Sequence, residues 1–160
     1  MLTSPLLLRL IGIFMFLAKA LQPIAALVTR LVIGWMFVGT GHGKWMNLEQ
    51  PVKLFTQLGI PAPRANAMFI ATLELVGGLC LMAGLCTRVF AFLLSCTMVV
   101  AILTADWKDF TGAFGGGKKD LLDVTSVPPL MFLLWLLAFG AGAISLDRIL
   151  FRKYGTPTTR

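Results

Sequence analysis

Long apolar runs separated by short polar punctuation dominate the chain, a pattern suited to helices that cross a membrane. A helix needs about 20 apolar residues to cross the hydrocarbon core of a bilayer. Four stretches reach that length: Ile24 to Trp45, Ala65 to Leu85, Val89 to Trp107 and Val127 to Leu146. The gaps hold Pro51, Pro61 and Pro63, then GAFGGGKKD ahead of Pro128 and Pro129, residues that end helices and make turns. The pattern predicts an all-α, membrane-embedded four-helix bundle over residues 24–147, with no linker or internal repeat to divide it.

Residues 1–23 fit that scheme less well. The uninterrupted apolar run from Leu10 to Ala18 is too short to span and is flanked by Arg9 and Lys19, so it predicts an extra helix lying in the membrane interface or partly inserted. A short fifth membrane segment is the alternative, and Ala18-Lys19-Ala20 also resembles a signal-peptide cleavage site. At the other end, residues 148–160 form a basic tail, placed on the cytoplasmic side and a candidate for docking a partner.

Composition strengthens the membrane reading. Hydrophobic residues make up 58% of the chain, charged residues 13%, and the mean hydropathy is +0.86. A soluble domain is roughly 45 to 50% apolar and about 25% charged, so the excess must face lipid. The net charge of +7 does not point to nucleic acid, because the basic residues are scattered among apolar segments and are not interleaved with aromatics on a polar face. They sort better by side of the membrane. With both termini on one side, that side holds Arg9, Lys19, Arg30, Arg88, Arg148, Arg152, Lys153 and Arg160; the other holds Lys44, Lys53, Arg64, Lys108, Lys118 and Lys119. Lys and Arg concentrate on the cytoplasmic side, so the expectation is a multi-pass membrane protein with both termini in the cytoplasm.

The candidate chemistry begins with Glu74, which lies inside ATLELVGGLCLMAGLCTR. An intramembrane carboxylate costs about 2.5 to 3.5 kcal/mol on insertion scales and normally faces the bundle interior. Helix arithmetic from the expected span ends puts Glu74 roughly 16 Å and Arg30 roughly 10 Å above the cytoplasmic boundary, with Lys44 roughly 30 Å up. Arg30 is therefore the expected ion-pair partner, and the pair either fixes the register of two helices or handles protons. On the first helix a stripe of Arg30, Gly34, Phe37, Gly41 and either Lys44 or Trp45 carries both charge and small residues. Gly34 and Gly41, with Gly77, Gly78 and Gly84 on the second helix, suit close helix packing.

A second group gathers where GTGHGKWM and TADWKDF end the first and third helices. His42, Lys44 and Asp106 are candidates there for an outer-face ligand site, and Trp45 and Trp107 for interfacial anchors. His42 is the only histidine, which argues against a multi-histidine metal site or a bis-histidine haem. Cys80, Cys86 and Cys96 contain no CxxC pair and read as small core residues. No phosphate loop, nucleophile elbow or dinucleotide fingerprint occurs. The sequence thus offers no self-contained catalytic centre, intrinsic cofactor or metal site.

RLVIGWMFVGTGHGKW followed by LGIPAP and then ATLELVGGLCLMAGLCTR resembles the DoxX family of small four-helix bacterial membrane proteins, over roughly Ile24 to Leu146. The resemblance rests on Arg30, Gly34, Gly41 and Lys44, and on Glu74, Gly77, Gly78, Gly84, Thr87 and Arg88. It implies an inner-membrane bundle associated with redox work, including the membrane subunits of thiosulfate:quinone oxidoreductase. Two functions are expected from it. One is an accessory subunit of a larger respiratory, photosynthetic or similar redox-linked membrane complex; the other is a quinone-reactive subunit in which Glu74, His42, Lys44 and Asp106 shape a ligand-sized pocket.

Overall fold

The computed structural model describes residues 5–114, 120–142 and 144–148, and within them the chain is helical with no strand. Six α-helices follow in order: α1 (Pro5–Met46), α2 (Glu49–Gln57), α3 (Pro63–Ala83), α4 (Thr87–Thr104), α5 (Trp107–Phe114) and α6 (Val127–Phe139), with a short 3-10 turn at Leu121–Asp123 before α6. The helices α1, α3 and α4 are long and apolar enough to cross a membrane, and α6 is a shorter apolar helix. α1 packs on α3, α3 on α4, α4 on α6 and α6 back on α1, closing a four-membered ring. The solvent preference is the reverse of a soluble protein: Trp35 is 70% exposed, whereas Arg30 and Glu74 are each 1% exposed. Such a distribution places lipid outside and the polar groups within.

The α1–α3 contact is the tightest seam, because glycines remove the side chains from it. A Cβ added at Gly34 would lie 2.7 Å from the Gly78 carbonyl oxygen, and one added at Gly41 would lie 2.5 Å from the Leu75 nitrogen. Gly77, on another face of α3, receives Leu94 of α4. Around this seam Ile33, Phe37, Leu81, Ala91, Leu94, Leu133 and Leu136 form the main core, and Ile102, Val124 and Val127 a second one towards the Lys44 end.

The expected N-terminal segment is joined to the first span. α1 runs for 42 residues through Pro23, about 63 Å at 1.5 Å per residue, roughly twice the thickness of a hydrocarbon core. Ala26 is its first buried residue, so the described part of the helix before it projects from the bundle. Proline removes one backbone hydrogen bond but leaves those on either side intact, and here it does not end the helix.

The fourth span also differs from the expectation of Val127 to Leu146. α6 stops at Phe139 after 13 residues, about 20 Å, because Gly140 and Gly142 take φ values of +77° and +76° and turn the chain. A helix that ends inside a bundle leaves carbonyls without partners; Arg88 reaches one of them, and Arg30 holds carbonyls of the turn that follows. Arg88 Nη2 donates to the Ala138 carbonyl at 3.3 Å, while Arg30 donates from Nη1 to Ala141 at 2.5 Å and from Nη2 to Ile144 at 2.7 Å. The returning chain then caps α4: Asp147 accepts from the Cys86 and Thr87 amides at 2.6 and 3.0 Å, and its own amide donates to the Gly84 carbonyl at 2.9 Å. Gly84, at φ +70°, leaves room for the Arg30 guanidinium, which an added Cβ would approach to 2.5 Å. Arg30 is thus the clasp of the bundle's far end. The basic tail lies outside the described residues beyond Arg148.

Candidate functional site

Glycine packing decides what meets Glu74. Gly41 lies against Ala71 and Leu75, and Gly34 against Gly78 and Met82, so Glu74 stands level with about residue 40 of α1. Lys44 is then roughly one turn beyond it, within reach of a four-carbon stem, while Arg30 lies about ten residues, or ~15 Å, in the other direction. Lys44 Nζ accordingly bonds Glu74 Oε1 at 2.5 Å. The expected Arg30–Glu74 pair is not formed. Lining up Ile24 with Leu85, as the sequence suggested, misplaces the two helices by about five residues, ~7 Å.

The pair is asymmetric. The Lys44 side chain is 34% exposed and that of Glu74 is 2% exposed. The second carboxylate oxygen, Oε2, is buried and has no hydrogen-bond partner among the described residues. Lys44 borders a polar groove with Thr40, Asn47, Gln50 and Gln57 on one side. On the other side, Lys44 and Glu74 together line an apolar cavity of about 410 Å³ enclosed by α2, α3 and α4.

That cavity was only half legible in the sequence. Leu73 of α3 and Ala101 and Thr104 of α4 contribute walls, and α2 with its C-terminal cap adds Pro51, Leu54, Phe55 and Leu58. The segment that became α2 looks like an ordinary loop between prolines, yet those four residues recur at i, i+3, i+4 and i+7, the spacing of one helical face. Its exposed side carries Glu49 and Lys53, 3.9 Å apart, a solvated pair of little energetic weight. Towards the surrounding lipid, exposed Phe69, Leu93, Cys96 and Val100 border the cavity between α3 and α4.

The outer-face cluster does not assemble as expected. Asp106 accepts a hydrogen bond from the Ser126 hydroxyl at 2.6 Å, tying the end of α4 to the start of α6. His42 is exposed, and among the described residues no hydrogen bond or ion pair links it to Lys44 or Asp106. Consecutive residues on a helix diverge by about 100° each, so His42 and Lys44 leave α1 in different directions. Trp45 and Trp107 are both partly exposed at this end, 36% and 48%. Cys86 and Cys96 are exposed rather than core, and Cys80 is half-buried; in a bilayer an outward thiol meets lipid, so exposure carries little penalty. Among the described residues no group of three His, Cys, Asp or Glu side chains is placed to hold a metal ion.

An all-helical bundle with apolar outer faces, glycine-sealed helices and a buried, lysine-paired carboxylate beside an apolar cavity defines a helical integral membrane protein. The sequence profile of the DoxX family matches residues 25–107, and the chain belongs to that family. It is 30% identical to "Putative oxidoreductase CatD" of Bacillus subtilis (strain 168) over 130 residues, covering 81% of this chain and 89% of the relative. It is 29% identical to "Inner membrane protein YphA" of Escherichia coli (strain K12) over 131 residues, covering 81% and 92%. No solved structure matches it.

Proposed function

We propose that this chain binds the ring of a lipid-soluble quinone and serves as the membrane subunit of a larger redox-linked assembly, whose other members exchange electrons with that ring. One observation carries the reading: a cavity of about 410 Å³ with apolar walls has the Lys44–Glu74 pair, with its buried carboxylate, as its charged feature. Small-molecule sites are typically of about 300 to 1,000 Å³, mostly apolar, with a few polar groups that fix orientation. The ring sits between α2 and α4, its oxygen substituents towards Lys44 and Glu74, and its isoprenoid tail leaves through the border at Phe69, Leu93 and Val100 into lipid. The oxidoreductase in the name of the Bacillus subtilis relative supports a redox role for this chain. The distribution of Lys and Arg supports an orientation with the Lys44 end outward and both termini cytoplasmic.

Extraction of the native protein in mild detergent, followed by native mass spectrometry, tests the proposal. The expected spectrum shows about one quinone per chain, together with protein partners. Retention of partners without quinone would leave an accessory subunit and remove the ligand site, while an empty, solitary chain would contradict both halves of the proposal.

A further inference from the structure

The two charged groups at the cavity have unequal needs. Lys44 has three N–H donors; one goes to Glu74 Oε1, and solvent in the polar groove reaches the others, since a third of the side chain is exposed. Glu74 has no such outlet. In the ion pair it is a carboxylate, which accepts hydrogen bonds and donates none, and its Oε2 is buried without a partner among the described residues. A buried acceptor left unpaired is costly, and a hydrogen bond to a charged group is stronger than one between neutral groups. A ligand that completes this site brings a hydrogen-bond donor, such as a ring O–H.

We infer that the cavity selects the reduced, hydroquinone form of its ligand, the ring hydroxyl donating to Glu74, over the oxidised quinone, which carries only acceptor oxygens. This rests on the quinone-binding reading above and adds a direction to it: the site holds the donor form of the redox couple. Apolar walls discriminate little between the two forms, because ring size and tail are shared, so selection falls on the one carboxylate oxygen that solvent does not serve. The same logic places a further demand on the ligand. A ring of the same shape whose hydroxyls are methylated offers no donor and gains nothing from Oε2.

Three probes with a fully substituted six-membered ring and equal tail length separate these terms in the purified full-length protein: decyl-ubiquinol held reduced under anaerobic conditions, decyl-ubiquinone, and the dimethyl ether of the ubiquinol. Occupancy is read as protection of Cys96, which borders the cavity, from N-ethylmaleimide, quantified on its own peptide by mass spectrometry. The expected result is about tenfold or more tighter protection by the ubiquinol than by either other probe, as one charge-assisted hydrogen bond supplies. Glu74→Gln, whose amide both donates and accepts, should bring quinol and quinone to within about threefold of each other. Equal or tighter protection by the quinone in the unaltered protein overturns the inference while leaving quinone binding intact. Protection by none of the three overturns the binding reading itself, and the inference with it.

Discussion

Lys44→Met should destabilise the bundle by about 3 kcal/mol, the lower end of the cost of leaving a buried charge uncompensated, since Lys44 itself is partly exposed. The loss comes chiefly from Glu74, which is 1% exposed and has no other partner among the described residues. Replacing both residues, as Lys44→Met with Glu74→Leu, should restore most of the stability, because an apolar pair of similar volume needs no desolvation. A double-mutant cycle on detergent-solubilised protein, followed by denaturant titration of helicity, reads this as strong coupling. The corresponding cycle between Arg30→Met and Glu74→Leu should be additive to within about 0.5 kcal/mol, since the two sites share no contact. Coupling of Glu74 to Arg30 instead of Lys44 would mean that the α1–α3 register is wrong.

Gly41→Leu should cost about 3 kcal/mol or more, at the upper end for overpacking. Its Cβ would sit 2.5 Å from the Leu75 nitrogen and 2.9 Å from the Ala71 oxygen, both backbone atoms that no rotamer change can move. The helices must separate, and Lys44, one turn further along α1, then loses its alignment with Glu74. The same helix supplies the control. Gly39 and Gly43 have nothing within 4 Å of an added Cβ, so Gly39→Leu and Gly43→Leu should leave stability unchanged or raise it, as leucine has the better helix propensity by about 1 kcal/mol. If all three substitutions behave alike in the same titration, the glycine seam does not hold α1 against α3.

What the sequence disclosed and what it hid follow from the range of each interaction. Span existence, the inward position of Glu74 and the small-residue stripe depend on hydropathy and local spacing, and Gly34, Gly41 and Gly78 fall where that stripe placed them, between α1 and α3. The partner of Glu74 depends on register between two helices, which sequence spacing within either one does not contain. A shift of about five residues exchanges Arg30 for Lys44. The end of α6 was hidden for a related reason: GAGAISL continues the apolar run, and only the positive φ angles at Gly140 and Gly142 reveal a turn. That turn explains Arg30, whose partners are backbone carbonyls more than a hundred positions away. The cavity's α2 wall was legible in principle, since Pro51, Leu54, Phe55 and Leu58 keep a helical period, but Pro51 within the first turn and Pro61 and Pro63 just beyond disguised a nine-residue helix as a loop.

The claim that the space beside Lys44 and Glu74 receives a quinone ring is tested most directly by photolabelling with an azido-substituted quinone in native membranes, followed by peptide mapping. The expected label falls on α2 and on the stretch of α4 from Leu93 to its end at Thr104, and an excess of unmodified quinone removes it. Label confined to the groove bordered by Thr29, Phe132 and Trp135, or to the projecting first half of α1, would contradict the assignment of the site.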